Sequence, residues 1–124
     1  MVSSTTSALD QLNNIVFEGS GQKFASVTVA ADATGALVAA VTGYKIRVLA
    51  ILINQAASSN ATLQFKSATT AITGVLTNIS PQVYLVLPFN PAGWFETASG
   101  EALNLLTADR AVGGCVVYEE VAVA

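Results

Sequence analysis

From Phe24 to Ala31 the chain alternates strictly: Ala25, Val27, Val29 and Ala31 are interleaved with Phe24, Ser26, Thr28 and Ala30. A period of two puts alternate side chains on opposite faces of an extended backbone, and the β-branched residues in the run favour that backbone. The same pattern returns in Ala61 to Ser67, where Leu63 and Phe65 oppose Thr62, Gln64 and Lys66, and in Val83 to Leu87, which Pro88 ends. Weaker strands are predicted over Leu37 to Val41, Thr69 to Thr73, Gly74 to Ile79, Trp94 to Thr97, Ala102 to Thr107 and Gly114 to Val121. Asp32-Ala33-Thr34-Gly35, Thr42-Gly43, Ala56 to Asn60 and Pro88-Phe89-Asn90-Pro91-Ala92-Gly93 separate these runs as turns or irregular connections. No amphipathic helix and no fixed-period repeat interrupts the series, which sets solenoids and propellers aside. The expectation is an all-β fold, an antiparallel β-sandwich or jelly roll of about eight strands.

A chain of 124 residues holds one core of ordinary size and is too short to divide into two. Residues 1–20 are predicted to be an extended N-terminal arm and residues 21–124 the sandwich domain. Val2 to Asn14 is rich in Ser, Thr and Asn, with Ala8, Leu9 and Leu12 as apolar punctuation and room for a short helical turn at Ser7 to Asn13.

Tyr44 to Gln55 is the longest strand candidate. Strict alternation places Tyr44, Ile46, Val48, Ala50 and Leu52 on one face and Lys45, Arg47, Leu49, Ile51 and Ile53 on the other. Only one face of a strand in a sandwich needs a core, so Leu49, Ile51 and Ile53 are expected to face outward, against a neighbouring subunit or under a covering loop. Composition favours a subunit. Hydrophobic residues make up 52% and charged residues 10%, against roughly 25% charged in an ordinary soluble domain. With so little charge to cover its surface, the chain is expected to assemble with copies of itself. Leu9, Leu12, Leu49, Ile51, Ile53, Phe89 and Trp94 are the expected interface residues.

Several functions are disfavoured. A net charge of −3, with only Lys45, Arg47 and Lys66 in its central part, offers no footprint for nucleic acid. The most apolar run, Val48 to Ile53, is far shorter than the ~20 residues of a spanning helix, and no secretory leader is read at the N-terminus. The Asn60 and Asn78 triplets fit a glycosylation sequon and are read as chance. Cys115 lies in an apolar stretch and is expected to be a small buried hydrophobe rather than a redox centre. The absence of histidine removes the commonest general base, the Ser-His-Asp triad and imidazole metal sites. Glu96 and Glu101 are the one carboxylate pair flanking an aromatic-rich loop, as a glycosidase would require, with solvated surface charges as the simpler reading. No phosphate-binding glycine motif and no calcium loop is present. No cofactor is expected, and no enzymatic activity.

The order of motifs carries a resemblance. Gly43-Tyr44-Lys45-Ile46-Arg47-Val48 is followed by Phe65-Lys66-Ser67, Thr73-Gly74, Leu87-Pro88-Phe89-Asn90-Pro91-Ala92-Gly93-Trp94-Phe95, Gly100-Glu101-Ala102-Leu103, and Gly113-Gly114 with Tyr118. From about Phe24 to Val121 the series resembles small tailed-phage virion proteins, compact jelly-roll modules used as capsid cement or decoration and in related head or tail appendages. The resemblance implies a homotrimer on the capsid surface, bound to the major capsid protein or another virion protein and made in the host cytoplasm. It implies no catalytic residues. A receptor-binding or fibre module of the same architecture, presenting Tyr44, Tyr84 or Trp94 to a glycan, is the alternative. Structurally, Gly43, Gly74, Gly93 and Gly100 are expected to adopt positive φ, and Trp94 and Phe95 to plug the end of the sandwich with Tyr118 packed at its edge.

Overall fold

In a computed structural model, residues 21–77 and 83–123 of the chain are described. The expected arm, with Leu9 and Leu12, and part of the Gly74 to Ile79 segment lie outside them. The described residues form an all-β structure: β1 (Gln22–Val29), β2 (Thr34–Val38), β3 (Tyr44–Gln55), β4 (Thr62–Ser67), β5 (Thr70–Ala71), β6 (Leu76–Thr77), β7 (Val83–Leu87), β8 (Phe95–Glu96), β9 (Leu103–Ala108) and β10 (Val112–Ala122).

Two antiparallel sheets pack together. Sheet A runs β1-β10-β3, with β7 and β8 pairing successive parts of β3; sheet B runs β2-β9-β4, with β5 and β6 on successive parts of β4. With β5 and β6 taken as one interrupted strand, and β7 and β8 as another, each sheet holds four strands, and the chain changes sheet at every step except from β4 to β5, which are neighbours in sheet B. That is the connectivity of a jelly roll.

The core lies between the sheets. Val27 and Val29 of β1, Ile46, Val48, Ile51 and Ile53 of β3, Val112 and Val116 of β10 face Leu37 and Val38, Leu63 and Phe65, and Leu103 and Leu105 of sheet B. Phe65 stacks at a tilt on Phe95, with ring centroids 5.1 Å apart, and Tyr118 packs at the margin. The alternation read in β1 and β4 is therefore the inward and outward alternation of the fold.

In β3 strict alternation fails. Val117 of β10 pairs with Ala50 and the next residue, Tyr118, pairs with Val48, so Leu49 is an extra residue in β3. A bulge of this kind shifts the inward set by one. Ile46 and Val48 point inward before it; Ile51, Ile53 and Gln55 point inward after it. Ile51 and Ile53, expected to face outward, are thus 3% and 1% exposed, and Leu49, the extra residue itself, is buried at 1% outside the core cluster. Leu52, expected inward, is exposed instead.

Buried polar side chains tie the sheets together. Gln55 at the end of β3 donates from Nε2 to the Thr62 carbonyl at 2.9 Å and the Arg110 carbonyl at 3.1 Å. Thr107 of β9 donates to the Ala30 carbonyl at 2.6 Å and accepts from the Ala33 amide at 3.3 Å, holding the β1–β2 turn on sheet B. Thr97 Oγ1 accepts from the Ile46 amide at 2.9 Å. Gly43, Gly93 and Gly100 adopt the expected positive φ, whereas Gly74 does not. At Gly93 the reason is contact as well as conformation, because a Cβ there would lie 2.4 Å from Arg47 Cγ.

Candidate interaction surface

The strand registers generate an outer face of sheet A in rows. Thr28 of β1, Gly113 of β10, Asn54 of β3 and Tyr84 of β7 form one row; Ser26, Cys115, Leu52 and Val86 form the next; Phe24, Val117 and Ala50 form a third. Opposed residues of an antiparallel pair share a face, so these side chains point together, away from the core. None of them carries a charge at neutral pH. Phe24 is 78% exposed, Tyr84 60%, Val86 57% and Leu52 48%, an apolar concentration that an isolated sheet face does not require.

Charge begins one row further on. Arg47 Nη1 lies 3.2 Å from Glu119 and its Nη2 3.7 Å from Glu96, while Lys45 Nζ lies 3.3 Å from the same Glu96. Beyond them Lys23 donates to Glu120 at 2.9 Å. The ions at this end of sheet A are thus mutually neutralised and border the apolar face without entering it.

Two features give the face relief. Gly113 carries no side chain on this face, and a hollow of about 320 Å³ lies there, lined by Leu52, Ile53, Asn54, Tyr84, Gly113 and Gly114. Asn54 Nδ2 is a buried donor with no hydrogen-bond partner. At the far edge, Phe24 projects from β1.

Of the residues expected at an interface, Phe89 and Trp94 are exposed. Trp94 alternates with the inward Phe95, which puts its indole on the outer side of the sheet. The indole Nε1 donates to the Pro88 carbonyl at 2.7 Å, and the Trp94 amide donates to the Val48 carbonyl at 2.8 Å. Of the expected end plug, therefore, only Phe95 enters the core. Ile51 and Ile53 belong to the core, Leu49 is buried outside the core cluster, and Leu9 and Leu12 lie outside the described residues. Cys115, expected to be buried, is exposed in the middle row. Phe24, Leu52, Tyr84, Val86 and Gly113 were not expected at a surface site as a group. Alternation in β1 already turned Phe24 away from Val27, but nothing local shows that β10, β3 and β7 would bring Cys115, Leu52 and Val86 beside it.

Glu96 and Glu101 are held by different partners. Glu96 sits in the ion row with Lys45 and Arg47 of sheet A, whereas Glu101 accepts from Ser67 of sheet B. Among the described residues, no group of three His, Cys, Asp or Glu side chains is placed to hold a metal ion. No helix among them is long and apolar enough to cross a membrane. Comparison with protein-family models finds no match, and comparison with curated proteins finds none either.

Proposed function

We propose that this chain is a non-enzymatic structural protein that assembles with copies of itself and with a larger protein partner, as a capsid cement or decoration protein of a phage-like virion. The observation that carries the assembly part is the uncharged outer face of sheet A, where Phe24 on β1, Leu52 on β3, and Tyr84 and Val86 on β7 stand exposed. Burial of such a face would supply binding energy through apolar area rather than ion pairs, which suits a chain with 10% charged residues. The motif order in the sequence supports the virion setting and the trimer, and the jelly-roll connectivity is compatible with both. Light scattering of the purified protein, followed by co-sedimentation with assembled shells of a candidate capsid protein, tests the proposal. An oligomer that co-sediments is the expected result. A monomer that stays in the supernatant would remove it.

One observation favours an appendage with a receptor-binding role instead: Tyr84 and Trp94 present exposed aromatic surface, and Tyr84 lies beside Asn54. Aromatic surface next to an amide suits a sugar ring. Binding to a glycan array that Tyr84→Ala abolishes, with no co-sedimentation, would select this reading.

A further inference from the structure

We infer that two copies of this chain pair face to face through the outer face of sheet A, each seating its Phe24 in the glycine-floored hollow of the other. This rests on the reading that the chain assembles with copies of itself and adds the surface, the mate and the residues that fit together.

The knob and the hollow belong to one face. Phe24 is 78% exposed on β1, and the hollow at Gly113, Gly114, Asn54, Leu52 and Tyr84 lies across β10 and β3 from it. The registers place Phe24 opposite Val117 and Thr28 opposite Gly113, so the two features are separated by two strands across the sheet and four residues along it. Strand spacing and rise make that separation roughly 17 Å. An aromatic ring entering the hollow covers the unpartnered Asn54 Nδ2 with its electron-rich face. No charge on the face has to be desolvated.

A second copy also suits the area. At roughly 200 Å² for a free aromatic side chain, Phe24, Leu52, Tyr84, Val86 and Trp94 alone expose on the order of 500 Å². The smaller residues between them bring the face near the ~800 Å² per partner of a stable interface. Nucleic acid or an anionic membrane would find nothing here to recognise its charge.

Reciprocal insertion fixes the symmetry. A two-fold axis lying between the two faces must pass midway between knob and hollow, because it exchanges them. Midway between Phe24 on β1 and Asn54 on β3 is the middle row of β10, which is Cys115. The two Cys115 side chains therefore face each other across the pair. Sheets packed face to face lie ~10 Å apart, too far for a disulfide, whose Cα atoms are ~4.4–6.8 Å apart, but within reach of a short reagent that bridges thiols. A trimer built through another surface would join by this contact into a hexamer.

The test uses the full chain and dibromobimane, which becomes fluorescent on bridging two neighbouring thiols. Wild-type protein is expected to give a fluorescent covalent dimer at micromolar concentration, and Cys115→Ser none. Phe24→Ser, which removes the knob, and Gly113→Val, which fills the hollow, are each expected to lower the bridging rate at least tenfold. Gly113 has no neighbour nearer than 3.9 Å to an added Cβ and Phe24 is exposed, so both variants should keep the wild-type strand content by circular dichroism. An oligomer seen by light scattering whose Cys115 does not bridge, or bridges equally fast in both variants, overturns the pairing and leaves self-assembly standing. A monomer at every concentration overturns both.

Discussion

Val48 and Ile51 point into the same core although their odd spacing in β3 should put them on opposite faces. Leu49 makes the difference, as an extra residue opposite the step from Val117 to Tyr118 in β10. Deleting Leu49 would bring Val48 and Ile51 to an even spacing, so that Ile46, Val48, Ile51 and Ile53 share one face without a bulge. Cooperative thermal unfolding that is retained, at a midpoint lowered by the loss of a buried leucine, is the expected outcome, read by circular dichroism.

The two glycines of β10 should differ sharply. A Cβ on Gly114, whose φ is +148°, would lie 2.0 Å from the Leu52 carbonyl oxygen, whereas one on Gly113 meets nothing nearer than 3.9 Å. Because the obstacle at Gly114 is backbone, Gly114→Ala must shift the β10–β3 ladder and is expected to cost about 3 kcal/mol or more. Gly113→Ala should change stability by about 0.5 kcal/mol at most. Urea unfolding of the pair measures the difference.

Gln55 connects β3 to β4 and to the turn before β10 through two hydrogen bonds from one amide nitrogen. Gln55→Leu keeps the volume but leaves the Thr62 and Arg110 carbonyls without that donor. A loss of about 3 kcal/mol is expected, with faster amide exchange in β4 as the local signature.

Phe65 is fully buried and its ring stacks on Phe95. Phe65→Ala removes that contact and opens a cavity between the sheets, at an expected cost of about 3–5 kcal/mol in chemical unfolding. Phe65→Leu should lose less than half as much.

The Glu120 carboxylate, by accepting a hydrogen bond from Lys23 and by its charge, holds the Lys23 ammonium above the ordinary lysine value of 10.5. A raised folded-state value means that the tie stabilises the fold below 10.5 and is lost as pH rises through the folded value. Glu120→Gln should return Lys23 toward its ordinary value in an NMR titration. Stability at neutral pH should hardly change, because the pair faces solvent.

Most of the architecture was legible because a sandwich repeats one local rule. Val27 and Val29 in β1, and Leu63 and Phe65 in β4, face inward as their alternation predicts, and the turns at Thr42-Gly43 and Pro88 to Gly93 fall where glycine and proline stand. Phe89 is exposed as expected of an interface residue, whereas Trp94, also expected to plug the sandwich end, stays outside the core. Leu49, Ile51 and Ile53 were misplaced because a bulge is invisible in an apolar run: each residue there is equally acceptable on either face, and only pairing with β10 decides which is extra. Cys115 was misplaced because its apolar neighbours Val116 and Val117 lie on opposite faces of the strand.

By itself the sequence determined the strand-forming segments, the turns between them and a surface poor in charge, since these follow from residue type and a period of two. Only the tertiary structure decided that β1, β10, β3 and β7 lie side by side. Hydrogen-bond partners distant in sequence, such as Ser26, Cys115, Leu52 and Val86, carry no local mark of one another. Their shared row exists because the ladders align them.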